Sequence, residues 1–450
     1  MNSLENQKIC VVGGGLAGIA AAVFAEKQGA EVTLIESGPE IGGLLKSHYR
    51  EGMGSFDYGT HLLGKTGIEE VDAVFFDWLE DDPEWIQHAC CSAGIFFQDV
   101  LSRSGFVDTR SLKNDLYEKG IEEFLELEEE YDFPNLLEAT EKTFGKTFSE
   151  NIFAPVLGKF FGVELKELSA NAHRLLGVSR IVGFTEEESI QLKGNSPWND
   201  HRLAFHNPQV GSRGGGAFYP RSAGIGSWVE SVKETLLKDK VTMMLSTTVS
   251  EVAFGDGSNP HNVTLEGGTS IAFDKLVWTV PPVFLLKAAS VPLQDTVAPK
   301  FTKTILFDLV ISEATRSDVF YVNCLDPSMD AFRVTLYDAM QGQAGKTPSR
   351  VTVEVIVPPE KDDSEITADS ILAEMKAMKI VGESAELVRA ESSEISFGFP
   401  IPGTEFISNQ EEICKQAKQL SPDVALLGRA GGNTFFMRDV LHEVFDHFSS

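Results

Sequence analysis

The sequence is poor in cysteine, with Cys10, Cys90, Cys91, Cys324 and Cys414 as its five among 450 residues. An odd count, no CxxC pair and no histidine at ligand spacing exclude a disulfide framework and a thiolate metal centre. Free thiols in a reducing, cytoplasmic setting are expected, and no metal. Basic residues are also scarce: 38 Lys and Arg face 67 Asp and Glu, a formal charge of -29. The mean field of such a surface repels a nucleic-acid backbone or an anionic bilayer. The expected partner is therefore a small-molecule substrate, which local cations could still select to be anionic. Long apolar runs are missing too. The uncharged residues 9–25 come nearest to a membrane or signal segment, but three successive glycines near their start and an amphipathic continuation argue for neither. There is no internal repeat and no low-complexity tract. The 42% hydrophobic content suffices for two closely connected domains, as a monomer or a homodimer.

What is present is organised around residues 9–36, ICVVGGGLAGIAAAVFAEKQGAEVTLIE. An apolar run turns on Gly13, Gly14 and Gly15, continues as an Ala-rich helix through Leu16, Ala17 and Gly18, and returns through a second apolar run to Glu36. That is a βαβ dinucleotide-binding unit in outline. Gly13 permits the tight turn, Gly15 admits a pyrophosphate to the backbone, and Gly18 lets the helix approach the sheet. The helix N-terminus offers unpaired N–H groups to the phosphates. Glu36 is suited to a ribose diol and would repel a 2′-phosphate.

Further along, residues 55–64, SFDYGTHLLG, read as a strand that carries Thr60 and His61 near its end. Acidic amphipathic helices dominate residues 67–196, such as 115–131 with Leu116, Ile121, Phe124 and Leu125 as its buried stripe. In residues 151–176 a Pro-interrupted helix, a glycine turn and a second helix capped near Ser169 are expected; Lys159, His173, Arg174 and nearby Arg180 are the conspicuous cations. Residues 194–226 read as irregular loop, with Arg213 open to an anion beside Gly214. A helix from Trp228 leads into a run of hairpin-like strands ending at Pro281 and Pro282, and residues 300–360 alternate as an antiparallel sheet in which Arg333 is either a ligand contact or a solvent-face salt bridge. The last 28 residues give a strand, a turn at Gly428 and Arg429, and a helix from Met437 with Arg438 and Asp439 in its first turn. A helix N-terminus of this kind suits an anionic or electron-rich group.

The tail of the first unit, Glu36 and Ser37 followed by Gly42, Gly43, Leu44, Lys46 and Ser47, resembles the second phosphate signature of the FAD-dependent amine oxidase, protoporphyrinogen oxidase and phytoene desaturase superfamily. The segment around Val249, the FYPRSAGIGSW run and the terminal Gly-Arg turn follow in that superfamily's order. The resemblance implies an α/β fold in which a GR2-type Rossmann-like FAD-binding domain (1–70, 205–285 and 395–450) is interleaved with a mixed α+β substrate domain (71–204 and 286–394) that carries a helical insertion. It implies FAD as cofactor, held by Gly13, Gly15, Leu16, Ala17, Gly18, Glu36, Ser37, Gly42, Gly43, Leu44, Thr60, His61, Val249 (through its backbone), Gly428, Arg429, Met437, Arg438 and Asp439. The implied activity is oxidation of a small substrate by hydride transfer to flavin N5, with His61 and Arg333 as catalytic candidates. Several segments are similar to the UDP-galactopyranose mutase branch, in which His61 would stand beside the flavin and Arg333 would bind a pyrophosphate. Where that branch has tyrosines this chain has Phe399, Asn433, Phe435 and Phe436. A non-redox nucleotide-sugar mutase and a scaffold with structural FAD are the alternatives.

Overall fold

The computed structural model describes residues 4–205, 216–255, 260–293, 297–396, 398–432, 434 and 436–449. Arg213, Asn433 and Phe435 lie outside the described residues. A five-stranded parallel sheet is assembled from distant parts of the chain in the order Thr242–Met244, Glu31–Ile35, Lys8–Val12, Lys275–Trp278 and Val424–Leu426. The apolar strand sequences fit a sheet covered on both faces. One face is covered by the helix Leu16–Lys27, buried continuously from Ala17 to Ala25, and by the terminal helix Met437–Ser449. Their contact includes Phe24 edge-on to Phe445 at 5.6 Å between ring centroids. The other face is covered by the three-stranded meander Val249–Ala253, His261–Leu265 and Ser270–Phe273, whose Val263, Leu265 and Phe273 pack on Cys10, Leu276 and Trp278.

A seven-stranded sheet runs Leu387–Ile395, Lys303–Ile311, Ser349–Val357, Ala331–Leu336, Tyr321–Cys324, Ala93–Phe97 and Val100–Ser102. All its pairings are antiparallel except that between Tyr321–Cys324 and Ala93–Phe97. Phe332 and Ile356 join the apolar core of the helical segment, with Phe124, Phe148, Phe153 and Phe160. Val334, Val353 and Val355 join the core shared with the parallel sheet. In Ser349–Val357 period-two alternation sends Ile356 to one core and Val353 and Val355 to the other, whereas in Ala331–Leu336 the register shift between Ala331 and Arg333 accompanies the split of Phe332 from Val334.

Several local expectations shift. Residues 55–64 are two strands, Gly54–Asp57 and Leu63–Gly64; Gly59, at φ +102°, ends the first and leaves Thr60 and His61 on the connection. The helix expected over 115–131 stops at Glu126, before three consecutive glutamates whose like charges oppose continuation. The stretch 194–226 holds a short helix, Pro197–Arg202, started by the Ser196 side chain and by proline at its first position, and a buried strand, Ala217–Pro220. Beyond Ser169 there is only the 3₁₀ turn Ala172–Leu176. Thr242–Met244, expected among the hairpins, pairs in parallel with Glu31–Ile35.

Of the basic residues singled out in the helical segment, Arg174 is exposed, and Lys159, His173 and Arg180 are engaged within the fold. Lys159 Nζ donates to the carbonyls of Cys324 (2.9 Å), Asp326 (3.0 Å) and Ala331 (2.8 Å), tying its helix to the turn between two sheet strands. Burial holds its pKa below the usual lysine range. His173 is buried between Phe144 and Phe153, and Arg180 Nε donates to the Asp200 carbonyl. Lys159→Met should lower the unfolding free energy by about 2–3 kcal/mol, because three carbonyls lose a charged donor. Urea titration followed by circular dichroism measures this, and a loss under about 0.5 kcal/mol would mean that water replaces the ammonium.

Candidate functional site

The first strand ends at Gly13, where φ is +103° and a Cβ would meet Thr279 Oγ1 at 2.4 Å. Its N–H donates to Ile35 O at 2.8 Å. A Cβ on Gly18 would lie 1.8 Å from Gly13 O, so the helix crosses the strand end at a distance only glycine allows. Gly15 caps the helix, and a Cβ there would have nothing within 4 Å. The middle of the glycine turn is an open concavity under a helix N-terminus, while both ends are tightly packed.

Two remote segments close on this turn. Gly42 N–H donates to Gly14 O at 2.7 Å, and a Cβ on Gly43 would approach Gly15 Cα at 3.2 Å. Gly42 is buried, whereas Gly43 and Leu44 are exposed on the rim. From the other end of the chain, Gly428 adopts φ +72° with its Cβ position 2.6 Å from Ala17 Cβ, and its N–H donates to Glu443 Oε2 at 2.7 Å. The turn of Gly428 and Arg429 therefore stands against the first turn of the helix, where Leu16 is half-buried. Arg429 and Asp439 are exposed, and Met437 and Arg438 half-buried; a Cβ on Gly67 would sit 3.4 Å from Arg438 Nη2.

Glu36 leaves its strand beside the same turn. Its carboxylate accepts from Gly14 N–H at 2.6 Å, Gly38 N–H at 2.7 Å and the Ser37 hydroxyl at 3.3 Å. The chain leading to Val249 grips its backbone: Glu36 N–H donates to Met244 O and Thr247 N–H donates to Glu36 O, both at 2.9 Å. Val249 itself is half-buried at the start of the meander, paired with Leu265.

His61 and Arg333 lie in a second cluster. Thr60 and Thr335 hydroxyls are hydrogen-bonded. Arg333 forms a bidentate pair with Glu354, Nε to Oε1 at 2.6 Å and Nη2 to Oε2 at 2.8 Å. The two residues are directly opposite on neighbouring strands. Glu354 is 5% exposed and Arg333 is 23% exposed. Arg333 is thus a salt-bridge residue, yet it faces a cavity of about 440 Å³ that Thr60, Leu62, Ala89, Cys91 and Tyr321 also line. The Nε2 of His61 is buried with no hydrogen-bond partner. Burial, then the nearby Arg333 charge, pushes its pKa down to about 4.

Sequence reasoning missed a buried network behind these residues. The Asp57 carboxylate accepts from Ser47 Oγ (2.6 Å), Tyr219 Oη (2.6 Å) and Ile225 N–H (3.0 Å). Its backbone N–H donates to Tyr337 Oη, which is bonded to Thr352 Oγ1, and that hydroxyl donates to Asp308 Oδ1, each at 2.9 Å. Asp308 Oδ2 meets His48 Nε2 at 2.6 Å and Arg50 Nε at 3.0 Å. Burial raises Asp57 to about 6 against the pull of its donors. The available signal was Asp308, Thr352, Glu354 and Thr335 at alternating positions of otherwise apolar strands. Among the described residues no cluster suits a metal ion, and no helix is long and apolar enough to cross a membrane.

A parallel sheet with a glycine turn under a helix and an acid ending the second strand defines a Rossmann-like nucleotide-binding protein. The model of the NAD(P)-binding Rossmann-like domain matches residues 11–77. The chain is 25% identical over 275 residues to the 4,4′-diapolycopene oxygenase of Methylomonas sp, a match that covers 57% of this chain and 52% of that protein; it spans about half the length of that relative. Among solved structures, reduced UDP-galactopyranose mutase superposes with a TM-score of 0.74 at 16% identity, covering 99% of this chain and 93% of that one. A proposed protoporphyrinogen oxidase from Exiguobacterium sp. 255-15 superposes with a TM-score of 0.66 at 16% identity, covering 98% of each. These likenesses bear out the resemblance read from the motifs, and the fold is the one shared with UDP-galactopyranose mutase and the Exiguobacterium protein.

Two expectations follow from the geometry. Gly18→Ala should destabilise the fold by well over about 1 kcal/mol through overpacking, and Gly15→Ala should leave stability within about 1 kcal/mol; equal losses in chemical denaturation would contradict the open concavity. His61, held neutral in the fold but protonated below about pH 6.5 when unfolded, contributes stability that is fully present above that pH and lost as pH falls toward 4. His61→Asn should flatten that part of the stability profile, and an imidazole that titrates near 6.5 by NMR in the folded protein would overturn it.

Proposed function

We propose that the protein is an FAD-dependent oxidoreductase that oxidises a small substrate by hydride transfer to the flavin. The observation that carries this reading is the convergence of Gly43 and Gly428 on the N-terminus of the helix Leu16–Lys27 around the open position at Gly15. The glycine turn, the double glycine and the Gly428 turn meet around the one glycine of the turn whose Cβ would have nothing within 4 Å, which supports a diphosphate there. When bound there, FAD supplies the two-electron acceptor. Gly15 admits the pyrophosphate, Glu36 with Ser37 takes the ribose diol, and the backbone at Val249 flanks the adenine side. Leu16, Ala17, Gly42 and Leu44 complete the wall. Arg429 and the N-terminus of the terminal helix would favour a reduced, anionic ring, and Met437, Arg438 and Asp439 at the start of that helix would border the cofactor.

On this reading residues 1–70, 205–285 and 395–450 form the cofactor domain, and 71–204 and 286–394 form the substrate domain. His61, with its neutral ring and unpartnered Nε2, orients the substrate or relays a proton. Arg333 and Thr60 line the cavity where substrate stands. The name of the oxygenase relative supports redox chemistry, and the protoporphyrinogen oxidase likeness, at 16% identity, supports the fold alone. The mutase likeness, at 16% identity, supports the fold alone. The mutase alternative also needs Arg333 as a cation toward a diphosphate, and Glu354 already occupies that guanidinium.

Purified protein should carry non-covalent FAD that bleaches anaerobically with a suitable amine, alcohol or alkene substrate and recovers with an electron acceptor. Turnover that requires prior reduction and gives no net redox change would favour the mutase. Gly15→Val should reduce flavin content at least about tenfold with its circular dichroism spectrum retained, since a loss of about 1.4 kcal/mol in binding already gives that factor. Full flavin content in that variant would remove the turn from the cofactor site.

A further inference from the structure

The cavity lined by Thr60, Leu62, Tyr321 and Arg333 presents little charge to a ligand. Among the described residues that line it, Arg333 is the only one with a formal charge, and that charge is cancelled where it stands. Both Glu354 oxygens are taken by the same guanidinium, at 2.6 and 2.8 Å, and the carboxylate is 5% exposed. An anionic substrate drawing Arg333 away would strand a buried carboxylate without a donor, a costly outcome. An anion that leaves the pair intact meets a neutral unit instead of a cation. Arginine carries five N–H donors, of which the pair consumes two. Those remaining can serve a neutral oxygen. The Thr60 hydroxyl is already engaged with Thr335, and Leu62, Leu63, Ala89 and Ala217 give an apolar wall.

We infer that the cavity takes an electrically neutral substrate with an apolar body and a carbonyl, hydroxyl or ether oxygen, which the Arg333–Glu354 pair holds as a neutral hydrogen-bond donor; the role of this molecule as substrate rests on the oxidoreductase reading above. The cavity volume of about 440 Å³ accommodates a compound of ten or more carbons. The pairing also explains why a guanidinium is kept in a cavity with no use for its charge. Arginine presents a rigid fork, and Glu354 from the neighbouring strand fixes its orientation.

Cys90 and Cys91 line the cavity and are exposed, whereas Cys10, Cys324 and Cys414 are buried. N-ethylmaleimide labelling of the full-length protein, read by mass spectrometry on the peptide that carries Cys90 and Cys91, therefore reports occupancy without use of the flavin spectrum. The probes are 2-decanone and decanoate, which share a ten-carbon chain and differ in charge. 2-Decanone should slow labelling at least fivefold at saturation, and decanoate less than twofold at the same concentration. In Glu354→Gln, with Arg333 released from its counter-ion, decanoate should become the better protector by about tenfold; thermal denaturation checks that this variant is folded, and the wild-type comparison decides the matter without it. Protection of the wild type by decanoate as strong as that by 2-decanone, or protection by neither, would overturn the inference. Flavin content measured on the same samples separates the two readings: neutral preference in a protein that binds no FAD would sustain the cavity's selectivity and sink the oxidoreductase assignment.

Discussion

The close approach of Gly18 to the carbonyl of Gly13 is the constraint on which the site depends. The position a Cβ would take is 1.8 Å from that oxygen, so the helix is seated against the strand end as nearly as backbone allows. Its N-terminus then points into the turn, and there is space for other segments to reach it. Gly43 and Gly428 use that space, each with its own backbone-to-backbone or backbone-to-alanine contact. A side chain at any of these closed positions would push its segment off the helix terminus. Gly15 alone is left without a neighbour, which is why the packing reads as a socket and not as a core.

The seven-stranded sheet solves a different problem. Its strands are apolar enough to join two cores, yet one face carries Asp308, Thr352, Glu354, Thr335 and Arg333 toward the hairpin and connection of residues 47–61. Buried polar groups are tolerated only when satisfied. Here they satisfy one another in a row that runs from Arg50 and His48 through Asp308 and Thr352 to Tyr337, with Asp57 beyond. The Arg333–Glu354 pair obeys the same logic at the cavity edge. His61 Nε2 departs from it, as do His48 Nδ1 and Asn323 Oδ1, which are buried with no partner.

The parts of this arrangement that were legible in the sequence are those with local signals. A glycine turn between an apolar run and an Ala-rich helix announces itself within some thirty residues, and so do the double glycine and the terminal Gly-Arg turn. The ring of contacts among them was legible only through family resemblance, because nothing near Gly428 reveals that it will meet Ala17. Arg333 stood out as a cation on a strand. Glu354 did not, since one glutamate in VTVEV reads as the solvent side of an alternating strand, and only the antiparallel register sets it opposite Arg333. Residues 194–226 misled in the other direction. Glycine and proline signals dominate there, but Pro197 sits where proline starts a helix, and AFYP is held as a strand by pairing with Trp85–His88, a tertiary partner that no local propensity encodes.

The parallel sheet also bears on how the molecule comes together. Lys8–Val12 is flanked by Glu31–Ile35 on one side and by Lys275–Trp278 on the other, and Lys275–Trp278 pairs in turn with Val424–Leu426. The first βαβ unit is local, but its sheet acquires its other neighbours only after most of the chain is available. Non-local pairing of this kind bears a large loop-closure cost before any contact repays it. The intervening segments are no passive loops: they build the seven-stranded sheet, and the hairpin around Asp57 is tied both to Tyr337, just beyond that sheet's strand Ala331–Leu336, and to Tyr219 of the strand Ala217–Pro220. Only three residues separate Gly43 from Ser47, the first residue of the hairpin, so the segment that meets Gly15 also carries Asp57 to Tyr337, next to the strand that holds Arg333.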